Sequence, residues 1–496
     1  MKARLIVTVI SIIMSSCCWA LPQLKVQNDQ LVDNTGRVVF LHGLNEMDKQ
    51  PPYEPSAIGF DERSIQFIAD HGFNVVRLGI FWAAIEPTPN HYNDAYLANI
   101  KKTIQLLAKH HIYTLIDFHQ DGFSSKDSYG AGEPVWATLG TGSKTNPGFP
   151  MSYYGGLKFG KYTIGKRLDD NFSKFWADTY SPAANEGLQE SYYAMVAHTV
   201  SYFGDMPSII GYEVMNEPFV GNDWASCFKS ATHPQPGCQK FESTTLNQFS
   251  THVSYAIHRA NPQAITWFEP DLGFGLSNPT YIGRLNDTNI GFSFHDYNGK
   301  NPVVPINNAL AEQKIAHVPL VMTEFGAALA SADQLATFMN LADKQQLSWI
   351  EWAYTNNPDI KFAHLPGKPE PDPKDEGIVY DAKKPLTGTN VKWDRLNALT
   401  RIYPEFVAGQ DIKFSYNSKT KVFVLSYTAV PGGVTEIMTP QLKNTTYVAY
   451  AVGAKKLSAP DSTTAPGVIR FENEVTTQQG HQVIITLKVK TNGTSQ

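Results

Sequence analysis

Runs of consecutive apolar residues alternate with amphipathic segments between residues 38 and 404. The run VVFLHGL at 38–44 predicts a buried strand, and the helical spacing of Ile65 and Ile68 predicts a helix over 61–72. The further predicted strands are 74–82, 112–119, 208–216, 265–270, 290–297, 319–326 and 348–354. The further predicted helices are 93–110, 187–203, 243–260, 307–316, 332–345 and 393–404.

Continuous apolar strands separated by helices favour a parallel sheet, because helical crossovers cover both faces of such a sheet. The eight strands of this pattern are the number that an α/β fold of the (β/α)8 TIM barrel type requires. An open doubly wound sheet is the alternative, but no Gly-rich nucleotide-binding fingerprint follows the first strand. The sequence therefore predicts a barrel as the main domain.

The pattern changes near residue 407, where apolar and polar residues begin to alternate with a period of two. The segments DIKFSYNSKTKVFVLSYTA at 411–429 and HQVIITLKVK at 481–490 are examples. Such alternation is typical of strands that bury one face. We predict a C-terminal antiparallel β-sandwich domain over 407–496, after a barrel domain over 21–406.

Residues 1–20 have the pattern of a secretory signal peptide. Lys2 and Arg4 precede the apolar run LIVTVISIIM, and the small residue Ala20 offers a cleavage point. A membrane anchor would need about 20 apolar residues, more than this run contains. A lipoprotein anchor at Cys17 is a further alternative, although Met14 fits such a signal poorly. We expect a secreted protein, extracellular or periplasmic.

Cys227 and Cys238 are the cysteines that remain after the signal peptide. Two cysteines close together in an exported protein predict one disulfide bond around a local loop. A zinc site is the alternative, but no Cys/His set with metal-ligand spacing accompanies them.

The charge of the chain argues against nucleic acid as a partner. The formal net charge is −5, whereas phosphate binding requires a basic surface. Aromatic residues make up 12% of the chain, which suits a sugar-binding cleft and equally an aromatic core. Neither observation indicates the oligomeric state.

Polar residues are sparse inside the predicted barrel strands and gather at their carboxyl ends, where the active site of such a barrel lies. The residues concerned include Lys49, Arg77, His119, Asp121, Asn216, Glu217, Glu269, His295, Tyr297, Glu324 and Trp352. This asymmetry is the main functional signal in the sequence.

Glu217 and Glu324 follow the fourth and seventh strands, which lie on roughly opposite sides of an eight-stranded ring. Two facing carboxyl groups, one of them protonated, are the arrangement that hydrolyses glycosides. Asn216 can hold a sugar 2-hydroxyl. Tyr297 and Arg77 can lower the pKa of the nucleophile by hydrogen bonding and by charge.

The motifs VMNEP at 214–218, HDY at 295–297 and MTEFG at 322–326 resemble those of glycoside hydrolase family 5, whose retaining enzymes carry catalytic glutamates on strands 4 and 7. The resemblance implies that Glu217 is the acid/base and Glu324 the nucleophile. It also implies substrate-binding roles for Arg77, His119, Asn216, His295, Tyr297 and Trp352.

A narrower resemblance concerns the endoglycoceramidase branch of that family, whose members cut between a glycan and ceramide. It is carried by GLNEMDKQPPY at 43–53 and DFHQDGFS at 117–124, together with the C-terminal β-sandwich. The resemblance implies that Lys49 and Asp121 bind substrate.

Several of these residues also have a structural interpretation. Lys49 and Asp121 could be solvated loop charges, and His119 could be a hydrogen-bonding residue behind the nucleophile. Trp352 could belong to the core, although the end of the last strand suits a platform under the sugar. Glu269, in FEPD, could simply form a turn.

The segment 122–186 is far longer than a usual loop after a barrel strand. It predicts either an ordered lid or a helical insertion packed on the barrel. Aromatic residues that could offer an apolar surface to ceramide are Phe123, Trp136, Phe219, Trp224 and those of 153–176.

We therefore expect a secreted retaining β-glycosidase, an O-glycosyl hydrolase that acts on glycosphingolipids and contacts a membrane or micelle surface transiently. One alternative is a β-1,4-glucanase or another β-glycosidase of soluble glycans. Others are a glucosylceramidase or steryl glucosidase, and a non-catalytic glycan-binding protein, which the presence of both glutamates disfavours.

No metal or organic cofactor is expected, because two carboxyl groups supply the acid, the base and the nucleophile. The sequence lacks an HExxH motif, a phosphate-binding loop and a Cys/His cluster. Incubation with a chelator should leave the hydrolysis of an aryl β-glycoside unchanged. Activity lost to the chelator and restored by a divalent ion would contradict this expectation.

Overall fold

The computed structural model of the chain describes residues 21–126, 131–142, 166–227, 237–326, 331–355, 377–457, 467–475 and 480–491. Its strands, in chain order, are β1 Leu24–Gln27, β2 Gln30–Asp33, β3 Val38–Val39, β4 His42–Glu46, β5 Val75–Ile80, β6 Tyr113–Phe118, β7 Tyr180–Ser181, β8 Glu186–Gly187, β9 Ile209–Glu213, β10 Thr266–Phe268, β11 Ile290–Asp296, β12 Leu320–Phe325, β13 Ser348–Glu351, β14 Tyr403–Val407, β15 Gly409–Asn417, β16 Val422–Ala429, β17 Val434–Met438, β18 Thr445–Val452, β19 Ala454–Lys456, β20 Val468–Asn473 and β21 Gln482–Thr491.

Eight parallel strands close into a barrel in the order β4-β5-β6-β9-β10-β11-β12-β13, which confirms the predicted (β/α)8 fold. Every residue of β5, VVRLGI, is buried, as expected of a parallel strand that helices cover. The predicted strand 38–44 is divided between two sheets. Val38–Val39 pairs outside the barrel, and the barrel strand runs instead from His42 to Glu46.

Helices connect the strands. In chain order they are α1 Glu62–Asp70, α2 Trp82–Ile85, α3 Asp94–Lys109, α4 Lys166–Trp176, α5 Leu188–Phe203, α6 Asn247–Ala260, α7 Val303–Ala316, α8 Ala332–Gln345 and α9 Trp393–Leu399. Shorter 3₁₀ turns lie at Pro55–Ile58, Val135–Ala137, Trp224–Cys227, Leu272–Leu276 and Gly388–Asn390, and a π-helical turn at Phe241–Leu246. Asp61 caps α1 by accepting from the main-chain N–H of Arg63.

Among the helix ends that differ from the prediction, two have a clear physical cause. α7 begins at Val303 rather than near 307, because Pro305 lies in the first turn, where its missing N–H costs no hydrogen bond. α9 ends at Leu399 rather than at 404, because Tyr403–Val407 forms β14 and pairs with β3 and β17. Pairing between distant segments outweighs local helix propensity here.

The long segment after β6 forms α4 and the two-stranded ribbon β7–β8 in its described part. Phe172 and Phe175 of α4 are buried and pack edge-on against Phe123. The described part therefore corresponds to a helical insertion packed on the barrel. The predicted lid also involves 127–130 and 143–165, which lie outside the described residues.

Two antiparallel sheets pack against each other outside the barrel, which confirms the predicted C-terminal β-sandwich. One has the order β1-β2-β3-β14-β17-β20-β19 and the other β15-β16-β21-β18. Buried side chains of both sheets, among them Phe423, Tyr427 and Ile437, share one apolar core. The strands β1–β3, which the predicted boundaries place with the barrel, pair in the first of these sheets, and the boundaries at 406 and 407 stay predictions.

The seven-stranded sheet closes the amino-terminal end of the barrel. Its residues Leu24, Leu31 and Phe406 join one buried cluster with the first residues of barrel strands, such as Val75 and Tyr113. The carboxyl ends of the strands, where barrel enzymes hold their active sites, lie at the other end.

The predicted signal peptide, residues 1–20, lies outside the described residues. Among the helices that the structure does describe, none combines the length and the apolar character needed to cross a membrane.

Cys227 and Cys238 form a disulfide, as predicted, with their Cα atoms 4.4 Å apart. The bond closes a loop between residues separated by 11 positions, on the carboxyl side of β9. It ties the 3₁₀ turn at Trp224–Cys227 to the segment that leads into α6.

Arg401 joins the barrel to the sandwich. Its buried guanidinium donates to Asp343 of α8, and also to the carbonyl oxygen of Tyr416 in β15 at 3.3 Å. Burial raises the pKa of Asp343, and the Arg401 charge opposes that effect. The ion pair therefore stabilises the fold only while both Arg401 and Asp343 are present.

Replacing Arg401 by alanine should lower the free energy of unfolding by about 3 kcal/mol, because a buried carboxyl group loses its partner. Urea unfolding followed by tryptophan fluorescence measures the change. Lys109→Ala, which removes one member of an exposed ion pair with Glu62, is the control and should have little effect. Equal effects of the two substitutions would contradict the role of Arg401.

Candidate active site

The registers of neighbouring barrel strands bring the predicted site residues to one end of the barrel. Asn45 on β4 lies beside Arg77 on β5, and His295 on β11 lies beside Glu324 on β12. A register shift between Phe294 and His295 accompanies the second pairing. These pairings define the floor of a site at the carboxyl ends of the strands.

Arg77 is the centre of this floor and is fully buried. It donates to Glu213 Oε2 at 2.5 Å, Glu324 Oε1 at 2.6 Å and Asn216 Oδ1 at 2.8 Å, and lies 3.2 Å from Asp117 Oδ2. Burial alone would lower the pKa of Arg77, but the surrounding carboxylates outweigh it and raise the pKa well above its ordinary value. The guanidinium is therefore a fixed positive charge.

Glu324 ends β12 and has one partner for each carboxylate oxygen. Arg77 donates to Oε1, and the Tyr297 hydroxyl donates to Oε2 at 2.5 Å. Only 5% of its side chain is exposed. The carboxylate is held in one orientation and faces the mouth of the barrel.

Glu217 follows β9 and faces Glu324. Each glutamate offers a carboxylate oxygen, and these two oxygens and a ring nitrogen of His295 all lie within 4.8 Å of one another. Burial raises the pKa of Glu217, the hydrogen bond with His295 opposes that effect, and the Glu324 carboxylate raises the pKa further. About a fifth of the side chain, 20%, is exposed, so Glu217 can reach a ligand.

His295 lies between the two glutamates. Its Nδ1 is 3.0 Å from Glu217 Oε1 and 3.5 Å from Glu324 Oε2. Burial alone would lower the pKa of His295, but the two carboxylates outweigh it and raise the pKa.

Asn216 is held by one group on β5 and one in the loop just after β6. Its Oδ1 accepts from Arg77, and its Nδ2 donates to the carbonyl oxygen of Gln120 at 3.0 Å. An amide nitrogen has two hydrogens, so one remains for a ligand hydroxyl.

A second connected group of side chains lies at the mouth of the barrel. Its members are Lys49, His119, Asp121 and Trp352. Asp121 Oδ2 is 2.6 Å from Lys49 Nζ and 3.0 Å from His119 Nε2. The Lys49 ammonium lies 4.3 Å from the centre of a Trp352 ring, and the His119 ring stacks on Trp352 at 5.7 Å. The structure thus brings together all the residues predicted to bind substrate, and their binding roles stay predictions.

Two buried acids inside the barrel strands, Asp117 and Glu213, were missed by sequence reasoning. Both contact Arg77, and Glu213 also accepts from the Thr323 hydroxyl at 3.0 Å. The signal was present, because an acidic residue in an otherwise apolar parallel strand requires a buried partner. Glu269, which the sequence left open, is 2% exposed and contacts the site directly.

Two overlapping sets of side chains among the described residues could offer ligand atoms to a metal ion. They are Glu217, His295 and Glu324, and Glu213, Glu269 and His295. Arg77 already donates to Glu213 and Glu324, so a metal ion would stand close to a fixed positive charge. This repulsion favours the network of ion pairs over a metal centre, and the predicted absence of a metal stays a prediction.

The prediction that certain aromatic residues offer a surface to ceramide is wrong for four of them, because Phe123, Phe172, Phe175 and Phe219 are buried. The members of that set within 153–165 lie outside the described residues. Phe123 and Phe219 both pack edge-on against Phe172 and thereby hold the loops in place. Trp136 and Trp224 are half-buried at the barrel edge. The indole N–H of Trp136 donates to a main-chain carbonyl at 2.9 Å.

The barrel and its paired glutamates define the class of this protein as a glycoside hydrolase. A model of the cellulase family, glycosyl hydrolase family 5, matches residues 32–358. The chain belongs to this family, which confirms the resemblance inferred from the sequence.

Curated relatives confirm the narrower resemblance as well. An endoglycoceramidase of Cyanea nozakii is 28% identical over 431 residues, which cover 81% of this chain and 80% of that protein. Endoglycoceramidase I of Rhodococcus hoagii is 28% identical over 358 residues, covering 67% of this chain and 68% of that protein.

Among solved structures, endo-glycoceramidase II from Rhodococcus sp. as a lactosyl-enzyme intermediate superposes with a TM-score of 0.70 at 21% identity. The match covers 93% of this chain and 99% of that chain. The same enzyme in complex with ganglioside GM3 also gives a TM-score of 0.70, at 20% identity. These likenesses show the shared fold.

The contacts of His119 predict an unusual titration. Burial alone would lower its pKa, but Asp117 and Asp121 outweigh it and raise the pKa to about 9. Because folding raises this pKa, the charged His119 ring stabilises the folded state. That stabilisation is complete below the unfolded pKa of about 6.5 and is lost as the pH rises through about 9. NMR titration of the His119 ring should therefore show a charged imidazole at neutral pH.

Asp121→Asn removes one of the two carboxylates and should move the titration of His119 to lower pH, with Asp117 still in contact. The free energy of unfolding of this variant should then decline at lower pH than that of the wild type. A wild-type His119 that titrates at its ordinary pKa would contradict the network.

Proposed function

We propose that the protein is a retaining β-glycosidase that hydrolyses the bond between glycan and ceramide in glycosphingolipids. The single observation that carries the chemistry is the approach of Glu217 and Glu324, whose nearest oxygens lie within 4.8 Å. Retaining enzymes hold their carboxyl groups about 5 to 5.5 Å apart, and inverting enzymes about 6.5 to 9.5 Å. The short separation leaves no room for a water between the sugar and Glu324.

In the first step, Glu324 attacks the anomeric carbon and the bond from that carbon to the glycosidic oxygen breaks. Glu217 gives its proton to the leaving oxygen, so free ceramide departs as an alcohol. Arg77 and Tyr297 hold the attacking carboxylate in place. The raised pKa of Glu217 suits a group that must arrive protonated.

In the second step, Glu217 is a carboxylate and takes a proton from water. The water oxygen attacks the anomeric carbon, and Glu324 leaves it as a free carboxylate. The glycan is released with its original anomeric configuration. A lactosyl-enzyme intermediate of the Rhodococcus endo-glycoceramidase II supports this double displacement by analogy.

The residues around the glutamates are suited to hold the sugar. The free hydrogen of the Asn216 amide can donate to a 2-hydroxyl, a contact that strengthens in the transition state. Lys49 and Asp121 offer a donor and an acceptor side by side, and Trp352 offers a buried indole next to them. We infer that these residues bind the glycan unit nearest to the bond that breaks.

The choice of glycosphingolipid as substrate rests on the endoglycoceramidases of Cyanea nozakii and Rhodococcus hoagii, each 28% identical to this chain. The family description, cellulase, favours a soluble β-glucan as the second candidate. The two candidates differ in the leaving group, which is a lipid alcohol in one case and a sugar hydroxyl in the other.

The decisive experiment is digestion of a ganglioside, glucosylceramide and carboxymethylcellulose in detergent micelles, followed by thin-layer chromatography. The proposal expects intact oligosaccharide and ceramide from the ganglioside. Turnover of carboxymethylcellulose alone would favour the glucanase. Turnover of glucosylceramide alone would favour a glucosylceramidase.

Glu324→Gln should reduce kcat/KM for every β-glycoside to background, because no other group can form the glycosyl intermediate. Glu217→Gln should reduce kcat/KM by about 10² to 10⁴ for alkyl glycosides. It should have little effect on kcat/KM for dinitrophenyl glycosides, whose leaving group needs no proton. Product NMR should show the β-anomer first, and an initial α-anomer would overturn the retaining mechanism.

We also propose that the protein is secreted and meets its substrate at a membrane or micelle surface. The signal-like pattern of residues 1–20 supports export, and so does the Cys227–Cys238 disulfide, which an oxidising compartment favours. Expression with residues 1–20 retained should yield a mature protein that begins at Leu21. An uncleaved chain in the cytosol would contradict secretion.

A further inference from the structure

A third carboxyl group lies directly behind the proposed acid/base and has no part in the reaction described above. Glu269 follows β10 and is buried. Its Oε2 accepts from the main-chain N–H of Glu217 at 3.2 Å, and its Oε1 lies 3.2 Å from His295 Nε2. Both oxygens of the Glu269 carboxyl group therefore contact the surroundings of Glu217.

The second of these contacts reaches Glu217 through His295. The Nδ1 atom of the imidazole shares a hydrogen bond with Glu217 Oε1 at 3.0 Å, and Nε2 lies 3.2 Å from Glu269 Oε1 without the geometry of a hydrogen bond. A ring with a carboxyl group against each nitrogen has little room to turn, and its hydrogen bond restrains the Glu217 carboxyl group in turn. Glu269 thus acts at the side chain of Glu217 without touching it.

The first contact acts at the backbone. Glu217 has a φ of 42°, in the left-handed region that non-glycine residues seldom occupy. Residues in such conformations persist only where their surroundings hold them. Glu269 accepts from the N–H of Glu217, and Gln120 donates to its carbonyl oxygen at 3.0 Å. The peptide groups on both sides of the strained residue are therefore fixed by side chains.

We infer that Glu269 is a positioning residue for general acid/base catalysis, which holds both the backbone and, through His295, the carboxyl group of Glu217. This inference rests on the proposed role of Glu217. It assigns a function to an acid that the reaction itself does not require, and it explains why FEPD ends β10 with a buried glutamate rather than a turn residue.

Glu269 lies among charged groups of both signs. Burial raises its pKa well above the ordinary value, as do the neighbouring carboxylates Glu213, Glu217 and Glu324, and Arg77 opposes the shift.

The test compares kcat/KM for two β-lactosides, one with a hexyl and one with a 2,4-dinitrophenyl leaving group. The ratio kcat/KM reports the step in which the leaving group departs. Glu269→Gln keeps the size of the side chain but has one acceptor oxygen in place of two. We expect about a tenfold to hundredfold loss on the hexyl lactoside, since misplacing a catalytic group costs that much. The dinitrophenyl lactoside should be nearly unaffected.

Glu46→Gln is the matched control. Glu46 is an equally buried carboxyl at the end of β4, but its partner is the Thr355 hydroxyl at 3.2 Å, away from His295. This variant should leave both lactosides unchanged. An equal loss on both lactosides in Glu269→Gln, or no loss on either, would overturn the inference, because a purely structural role does not depend on the leaving group.

Glu217→Gln in the same assay separates the inference from the proposed function. If Glu217→Gln shows no dependence on the leaving group, the acid/base assignment fails and this inference fails with it. If Glu217→Gln shows that dependence and Glu269→Gln does not, only the role of Glu269 is wrong. Should Glu269→Gln not fold, Glu269→Asp, which withdraws both oxygens by one methylene, carries the same comparison and the same expected outcome.

Discussion

The site depends on the burial of one positive charge inside the barrel. Arg77 has no access to solvent, and an isolated guanidinium there would cost many kcal/mol in lost hydration. Its cost is offset only because carboxylates from three further strands surround it, Asp117 on β6, Glu213 on β9 and Glu324 on β12. The same contacts therefore hold the strands in register and fix the orientation of the proposed nucleophile. Removing any one carboxylate would leave both a structural and a chemical defect.

Two glutamates of identical chemistry are made different by their surroundings. Glu324 meets a guanidinium and a phenol, both of which donate to a carboxylate. Glu217 meets a histidine and, behind it, a second buried carboxyl group, and burial raises its pKa. One position therefore holds a nucleophile in a fixed orientation, and the other suits a proton donor. A retaining glycosidase requires two carboxyl groups with these different roles.

The seven-stranded sheet determines which end of the barrel can hold the active site. The seven-stranded sheet covers the amino-terminal ends of the strands with apolar side chains, so polar residues are accommodated at the carboxyl ends. Around that end, several aromatic residues of the long loops pack against one another rather than against solvent. A loop without regular structure needs such packing to hold a defined course over a site. The main role of the aromatic residues at the mouth is therefore to hold these loops in place.

The sequence by itself determined the elements and the chemistry of this protein. Apolar runs and helical spacing predict the order of strands and helices, and the glutamates in VMNEP and MTEFG predict the pair at the mouth. Only the tertiary structure decided how distant segments combine. It divided the run 38–44 between two sheets, turned the predicted end of the last helix into β14, and joined Asp117 and Glu213 to one arginine. Local patterns record which face of an element is apolar, whereas pairing partners and buried charge networks depend on residues that lie far apart in the chain.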